Sequence, residues 1–235
     1  MSLPLAERSR QFLDFIEGWV ANLPVMLLQD AAPHPERAAI LSVDVIEGFC
    51  RVGPLASPRV AAIVQPITTL FIRAWEHGIR RIILTQDAHE AEAVEFASWP
   101  PHCVRGTPEA QTVAEFKALP FFDQIVVLEK NSISSGLNTG LDAWLQAHPQ
   151  VDTFIVVGDC TDLCTYQLAM HLRLDANARQ KHRRVIVPAN AVDTYDRTVT
   201  TAREQGGLPH DGDLLHAVFL YHIALNGIEV VARIE

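Results

Sequence analysis

The stretch GDCTDLCTYQ, residues 158–167, places two cysteines four positions apart between an apolar run and an amphipathic segment. A metal clip, a redox pair and a nucleophile all use such thiols. The spacing differs from the C-x-x-C of thioredoxin-like pairs, and no second half completes a four-cysteine zinc site. If a helix begins at Cys164, its exposed amides and dipole favour a thiolate there. The pattern therefore favours a nucleophile, although a buried small apolar residue is a cysteine's commonest role.

Two charged residues end other apolar runs, Asp44 after AAILSV and Lys130 in QIVVLEK. Taken singly, each is typical of a helix cap or a surface ion pair. Together with Cys164, they predict a carboxylate, an ammonium and a thiol at one edge of one sheet, where open α/β folds assemble their sites. In that arrangement, Asp44 takes the thiol proton and later passes it to a leaving amine.

A second group of polar residues has the composition of a metal site. Asp87 and His89 are two positions apart in TQDAHE, so their side chains lie on the same side of an extended segment. His102 follows in WPPHC, and Glu95 lies between as a further candidate ligand. A carboxylate and two imidazoles can hold a divalent ion and leave positions open for water or substrate. The alternative is a loop held by hydrogen bonds among these groups.

The elements that must position these residues alternate along the chain. Apolar runs rich in Val, Ile and Leu, without polar alternation, predict strands covered on both faces. They alternate with amphipathic segments, which predicts an α/β fold: a doubly wound, Rossmann-like three-layer sandwich around a mostly parallel sheet of five or six strands. The runs are 38–44, 80–87, 124–130, 153–159, 183–189 and 227–234.

The segments outside this alternation of apolar and amphipathic runs are short and more polar. Residues 1–37 are predicted to form an N-terminal helical extension, from about residue 5 to residue 20, and a proline-containing linker, with the main domain spanning 38–235. Near the C-terminus, HDGDLLHAVF (210–219) predicts a solvated helix start.

Composition restricts the partners of the chain. Its 235 residues carry a formal net charge of −9, which argues against nucleic acid or an anionic membrane as the main partner. No apolar run approaches the roughly 20 residues that span a bilayer, and the N-terminal charges do not fit a secretory signal. Four unevenly placed cysteines favour free thiols. We therefore expect a soluble, cytoplasmic protein with a small-molecule partner.

Five motifs occur in one order between residues 38 and about 200. Together they resemble the isochorismatase-like cysteine hydrolases, nearest to the nicotinamidases and pyrazinamidases. Each motif alone is weak, whereas five in order at suitable spacing are a specific signal. The motifs are DVIEGFC, the D-x-H of TQDAHE, WPPHCVRGT, the lysine of VVLEK and the G-x-x-T-D-x-C of GDCTDLC.

The resemblance implies a catalytic triad of Asp44, Lys130 and Cys164. It also implies a cis peptide bond joining Cys160 to Thr161 and an oxyanion hole built from the backbone of Cys160, Thr161 and Cys164. The implied reaction is hydrolysis of a small amide such as nicotinamide, through a thioester intermediate, to the acid and ammonia.

The resemblance further implies a metal site at Asp87, His89 and His102, with Glu95 near the position where related enzymes often carry another histidine. The ion helps to bind substrate. Zinc is the first expectation, and iron or manganese would suit the same donors. The family also tends to self-associate, so we expect a homo-oligomer.

Substrate choice stays open at this point. The resemblance implies that Phe49 and Trp99 are aromatic walls for the substrate, but the loops at 46–48, 93–95 and 131–140 depart from the nicotinamidase pattern. Another small amide, a carbamoyl or ureide substrate, a non-catalytic ligand-binding role, and a thiol sensor that uses the two cysteines are the alternatives.

Overall fold

The computed structural model describes residues 3–235, which form a central sheet with helices on both faces. The helices are α1 (Leu5–Ala21), α2 (Leu28–Ala31), α3 (Glu47–Cys50), α4 (Pro58–His77), α5 (Ala114–Lys117), α6 (Leu141–Ala147), α7 (Cys164–Ala178), α8 (Val199–Gln205) and α9 (Gly212–Leu225). The strands are β1 (Val25–Met26), β2 (Ala38–Val43), β3 (Ile82–Asp87), β4 (Val126–Lys130), β5 (Thr153–Asp159), β6 (Arg184–Pro188), β7 (Val192–Asp193), β8 (Glu229–Val231) and β9 (Arg233–Ile234).

The main sheet is parallel and has the strand order β4-β3-β2-β5-β6-β8, with β7 pairing alongside β5. The register pairs Val43 with both Thr85 and Gly158, and pairs Asp87 with Lys130. Strands β4, β3, β2 and β5 therefore end at one edge of the sheet. This topology confirms the predicted doubly wound α/β sandwich, with all six predicted strands present.

Each central strand contributes to two hydrophobic layers. All six residues of β2 are buried, and Ile40 packs into one layer while Leu41 packs into the other. In the same way, Ile155 and Phe154 of β5 face opposite layers. In these central strands, burial on both faces explains the lack of polar alternation, whereas the edge strand β4 leaves Val126 and Val127 exposed.

Helix α4 covers one face of the sheet and illustrates how the sequence sets its limits. Pro58 occupies its first turn, where the missing N–H costs nothing. The helix ends at Gly78, which has a φ of 110° and donates its N–H to the carbonyls of Ala74 and Trp75. Glycine adopts this left-handed conformation without a steric penalty.

The N-terminal segment is joined to the C-terminal end of the chain. Helix α1 packs against α9, where the Tyr221 ring makes edge contacts with Phe12, Phe15 and Trp19. The segment predicted as a linker contains β1, which pairs in parallel with β9 and so finds hydrogen-bond partners for the backbone of 25–26. The predicted domain boundary at residue 37 stays a prediction.

Within residues 3–235, the helices lack the combination of length and apolar character that crossing a bilayer requires.

At Gly158, strand β5 passes so close to β2 that a side chain on this residue would not fit. A Cβ at this residue would lie 2.1 Å from the Val43 carbonyl oxygen, and its φ is +113°. We expect Gly158→Ala to lower the free energy of unfolding by about 3–5 kcal/mol, because overpacking and left-handed strain add. Urea denaturation followed by circular dichroism measures the change.

Gly227→Ala is the matched control, because Gly227 also has a positive φ (+79°) but nothing lies within 4 Å of its added Cβ. Backbone strain alone predicts a cost of about 1–2 kcal/mol there. Equal losses of unfolding free energy in the two variants would show that the close approach of β2 to β5 adds nothing to the cost of the substitution at Gly158.

Candidate active site

The carboxyl edge of the sheet brings together Asp44, Lys130 and Cys164, which are 0%, 2% and 6% exposed. The Lys130 ammonium lies 2.8 Å from Asp44 Oδ2 and 3.9 Å from Cys164 Sγ. Lysine at the end of β4 reaches across β3 to the residue that follows β2, so the strand order makes the contact possible. A carboxylate, an ammonium and a thiol therefore form one buried series of contacts.

Asp44 is oriented by the backbone on either side of it. It has a φ of +55°, and its own N–H donates to the Thr85 carbonyl at 2.9 Å. Its Oδ1 accepts the N–H of Asp87 at 2.8 Å. Among the described residues, Oδ2 contacts the ammonium but has no well-aligned hydrogen bond. Oδ2 is therefore the oxygen available for a proton from the thiol.

Asp87 shares the same ammonium and joins two groups of functional residues. Its Oδ1 lies 2.5 Å from Lys130 Nζ, while its Oδ2 lies 3.5 Å from His89 Nε2 and 3.9 Å from His102 Nε2. One carboxylate thus connects the thiol and lysine to the two imidazoles. Sequence reasoning placed Asp87 among the metal ligands but did not foresee its contact with Lys130.

The two carboxyls have opposite protonation preferences. Burial and the negative charge of Asp87 raise the pKa of Asp44 to about 7, against the opposing effect of Lys130. Burial also disfavours the Asp87 carboxylate, but Lys130 and His89 outweigh it and hold the pKa of Asp87 below its ordinary value. Asp44 can therefore both accept and donate a proton near neutral pH, whereas Asp87 stays ionised.

Cys164 differs from the thiolate expected at a helix start. Burial raises the pKa of its thiol well above the usual range, against the attraction of Lys130. Burial and nearby carboxylates outweigh the attraction of Lys130, which a local sequence pattern does not reveal. The thiol form of Cys164 is therefore favoured, and attack by its sulfur would need a base.

Asp87, His89 and His102 are all buried, and their ligand atoms lie within 4.8 Å of one another. His89 Nδ1 bonds to Asn131 Oδ1 at 3.2 Å, and His102 Nδ1 bonds to the Pro100 carbonyl at 2.8 Å. These acceptors place the protons on Nδ1, so each Nε2 lone pair faces Asp87. His89 Nε2 is buried and lacks a hydrogen-bond partner among the described residues. This donor set fits a divalent metal ion.

Protonation of the two imidazoles follows their surroundings. Burial lowers the pKa of His102, which favours the neutral, metal-binding ring. Burial also opposes the charged form of His89, but the nearby Asp87 carboxylate, 3.5 Å from Nε2, and the bond to Asn131 outweigh it and raise the pKa of His89. A bound cation would favour the neutral ring at both positions, because metal and proton compete for Nε2.

The remaining predicted residues surround this group at different distances. Glu95 is half-buried in the 3-10 helix Val94–Ala97 and is not part of the three-ligand cluster, although its charge acts on both imidazoles. The centroid of the Phe49 ring lies 5.7 Å from that of His102, and the centroid of the Trp99 ring lies 6.4 Å from that of Tyr195. Glu95 as a ligand and the two aromatic walls stay predictions.

Phe96 is an aromatic contact that sequence reasoning missed. Its ring lies 5.4 Å from that of His89 and 5.6 Å from that of His102, measured between centroids. In the stretch VEF, the sequence pattern indicated only the Glu95 carboxylate as a functional group. The D-x-H motif gave no signal for this ring, because the 3-10 turn that carries it forms only in the folded loop.

The predicted cis peptide bond in the turn before Cys164 is at a different position. The cis peptide bond joins Asp159 to Cys160, one residue earlier than expected, where β5 ends and the chain leaves the sheet. The Thr161 N–H donates to the Asp193 carbonyl at 3.0 Å, so it is engaged elsewhere. Within the described chain, the N–H groups of Cys160 and Cys164 have no protein acceptor. These two amides are available as donors.

Asp159 is a further buried carboxyl that sequence reasoning did not single out. Burial, with the charge of Asp44, raises its pKa well above the ordinary range. Its Oδ1 has no hydrogen-bond partner among the described residues, and the Cys160 thiol approaches Oδ2 at 3.7 Å. The neutral carboxylic acid avoids adding a third negative charge around Lys130.

The histidines of HDGDLLHAVF are also placed differently from expectation. Helix α9 does begin in this segment, with Asp211 accepting the Leu214 N–H at 3.0 Å. His210, however, is only 8% exposed and lies 2.8 Å from Asp162 Oδ2, and His216 bonds to Thr161 Oγ1 at 2.9 Å. The predicted solvated start was wrong at His210, because a partner distant in sequence covers it.

Comparisons with known proteins give a matching family model and several relatives of this chain. A family model described as "Isochorismatase domain" matches residues 38–204. Nicotinamidase 1 of Arabidopsis thaliana is 26% identical over 235 residues, covering 90% of each chain. Nicotinamidase/pyrazinamidase of Mycobacterium tuberculosis is 30% identical over 183 residues, covering 71% of this chain and 92% of its own. The crystal structure of the Pyrococcus horikoshii pyrazinamidase in complex with zinc superposes with a TM-score of 0.65 at 23% identity, covering 83% of this chain and 98% of that one.

Removal of the shared ammonium tests the electrostatics of the site. We expect Lys130→Met to lower the free energy of unfolding by about 3–5 kcal/mol, because it leaves Asp44 and Asp87 buried without a counter-charge. Arg51→Met is the control, since Arg51 pairs with Glu47 and Glu115 at a partly exposed position and should cost less than about 1 kcal/mol. Urea denaturation at pH 7 measures both. Similar losses would mean that Lys130 does not neutralise the carboxylates.

Metal content tests the imidazole cluster independently of turnover. After incubation with zinc and removal of excess metal, we expect about one ion per chain in the parent protein and about a hundredfold weaker binding in His89→Ala, which removes a ligand. Plasma mass spectrometry measures the content. His148→Ala, which removes a bond to the Trp144 carbonyl, should retain the ion. Equal metal in both variants would contradict the assignment.

Proposed function

Because the chain belongs to the isochorismatase-domain family of hydrolases, we propose that it is a cysteine amidohydrolase that converts a small amide, such as nicotinamide, to its acid and ammonia. The observation that carries the proposal is the buried contact series of Asp44, Lys130 and Cys164. Amide C–N hydrolysis needs a nucleophile, a group that exchanges protons with it and a charge that stabilises the sulfur anion, and these three side chains supply them.

The reaction begins with Cys164 as a thiol. Asp44 Oδ2 removes its proton while Sγ attacks the carbonyl carbon of the amide, forming a C–S bond and placing the electron pair of the carbonyl bond on oxygen. The Lys130 ammonium, 3.9 Å from Sγ, stabilises the developing sulfur anion. A base whose pKa is about 7 suits this step, because it is substantially ionised at neutral pH.

The tetrahedral oxyanion accepts hydrogen bonds from the backbone N–H groups of Cys160 and Cys164. Asp44 then donates its proton to the amide nitrogen, the C–N bond breaks, and ammonia leaves. A thioester to Cys164 remains. Asp44, again a carboxylate, removes a proton from water as the water oxygen attacks the thioester carbon. Return of that proton to sulfur releases the acid and restores the thiol.

Asp87, His89 and His102 are the residues that would hold a metal ion. Bound there, the ion supplies a positive charge and an open coordination position for a substrate nitrogen or a water. Zinc is the proposed ion, supported by the two imidazoles and by the zinc in the similar Pyrococcus horikoshii structure. Lys130 keeps Asp87 ionised and therefore able to bind. The Phe49 and Phe96 rings beside the imidazoles favour a planar, apolar substrate body.

Loss of the nucleophile tests the proposal. We expect the parent protein to release ammonia from nicotinamide or pyrazinamide, and Cys164→Ala to lower kcat by about 1,000-fold or more, because the thioester cannot form. An ammonia-release assay run over nicotinamide, pyrazinamide, aliphatic amides, and carbamoyl and ureide compounds measures this and identifies the preferred substrate. Rapid quenching and intact-mass spectrometry of the parent should show an acyl adduct that maps to Cys164.

Cys50→Ala is the control, because Cys50 is also buried but makes no contact with Lys130 among the described residues. It should keep kcat within about threefold of the parent. Turnover by Cys164→Ala within about tenfold of the parent would exclude the thiolate mechanism.

A further inference from the structure

The segment from β7 to the start of α9 lies against the turn that carries the nucleophile. The Thr161 N–H donates to the Asp193 carbonyl at 3.0 Å, and its hydroxyl bonds to His216 Nδ1 at 2.9 Å. One residue later, Asp162 Oδ1 accepts from the Thr194 hydroxyl at 2.6 Å. Two consecutive residues of the turn are thus bonded to a segment more than 30 positions away.

The local support of the turn comes from the Cys160 carbonyl, which accepts the N–H groups of Leu163 and Thr165 at 3.0 and 3.1 Å, and no side chain caps the helix that follows. The N-cap residue of α7 is Leu163, which has no side-chain oxygen to accept an N–H of the first helical turn. Its φ and ψ, −119° and −102°, lie outside the regular regions. Bonds from Asp162 therefore act where a serine, threonine or aspartate cap would otherwise hold the start of the helix.

His210 makes the second bond to Asp162, and both its ring and its backbone have further partners. Its Nε2 lies 2.8 Å from Asp162 Oδ2 and its Nδ1 lies 2.8 Å from the Tyr195 carbonyl. Both partners are acceptors, so both ring nitrogens carry protons and the pair is an imidazolium and a carboxylate. The ring also stacks on Tyr195 at 3.8 Å, and the backbone of His210 pairs with Arg197 in both directions.

The position of Asp162 in the turn explains how the ion pair acts on the backbone amides around it. It lies midway between Cys160 and Cys164, the two residues whose N–H groups are available to an oxyanion. A shift of the Asp162 carboxylate would move both amides and the sulfur together. His210 and His216 both lie beyond the segment, 38–204, that matches the family model, so this support belongs to a part of the chain outside the match.

We propose that the Asp162–His210 ion pair is a positioning element that holds the nucleophile turn, and with it the Cys160 and Cys164 amides, in the geometry required for transition-state stabilisation. The catalytic part of this inference rests on the proposed amidohydrolase function. The structural part, that the pair immobilises the turn, is measurable without a substrate.

A matched pair of substitutions separates the two bonds of His210. Gln places an amide nitrogen near the position of Nε2 and keeps a donor for Asp162, whereas Asn places one near Nδ1 and keeps only the bond to Tyr195. We expect His210→Asn to lower kcat by about 100-fold through misplacement of the reacting groups. His210→Gln should stay within about threefold of the parent, and KM should change by less than about threefold in both.

Hydrogen exchange provides the readout that needs no substrate. We expect deuterium uptake in a peptide covering residues 158–167 to accelerate about tenfold in His210→Asn and to stay near the parent rate in His210→Gln, because only the former removes the bond from residue 210 to Asp162. His77→Asn is the control: it removes a comparable histidine bond, to the Ala32 carbonyl at 2.8 Å, remote from the turn. It should leave both kcat and uptake at residues 158–167 unchanged.

The outcomes distinguish the two proposals. Parent-like exchange at 158–167 in His210→Asn, or equal kcat in the Asn and Gln variants, would overturn the positioning role. Accelerated exchange in His210→Asn, together with a parent protein that hydrolyses no amide, would instead count against the proposed function and leave the immobilisation of the turn supported. If His210→Asn does not fold, Asp162→Ala removes the same ion pair from its other end, and parent-like kcat and exchange in that variant would overturn the proposal equally.

Discussion

The site depends on one buried ammonium that neutralises two buried carboxylates. Lys130 contacts Asp44 and Asp87 and also approaches the Cys164 sulfur, in a region almost closed to water. Charges there are tolerated only when they are paired, so none of these groups can change without cost to the others. The pairing also divides their roles. Asp87 remains ionised, whereas Asp44, with a pKa near 7, can carry the proton that catalysis must move.

The architecture of the sheet follows from the need to bring these groups to one edge. Parallel strands in the order β4-β3-β2-β5 end side by side, so each functional residue needs only to follow its strand. Gly158 lets β5 approach β2 closely enough for the turn beyond it to reach Asp44. The C-terminal segment then supports that turn through Asp162 and Thr161. Asp44, the three clustered metal-ligand candidates and the two available amides of the turn thus lie close together at one edge of the sheet.

Two departures from expectation share one physical origin. Cys164 was expected to be a thiolate because of its helix position, and His210 was expected to be solvated because polar residues surround it in the sequence. In the fold, burial raises the pKa of the thiol, and Asp162 covers the imidazole. Local sequence reports the neighbours along the chain, whereas protonation and exposure depend on neighbours in space.

The sequence by itself determined the fold class and the strands, and it identified the residues that meet at the carboxyl edge of the sheet. Their catalytic and metal-binding roles stay predictions. Burial on both strand faces leaves unbroken apolar runs, and each strand end is marked by its polar residue. Tertiary structure alone decided the rest: that Lys130 bridges both carboxylates, that the Phe96 ring lies beside both imidazoles, that the cis bond precedes Cys160, and that His210 bonds to Asp162. The bonds of Lys130 to Asp87 and of His210 to Asp162 join residues 43 and 48 positions apart, and no local spacing encodes a distance set by packing.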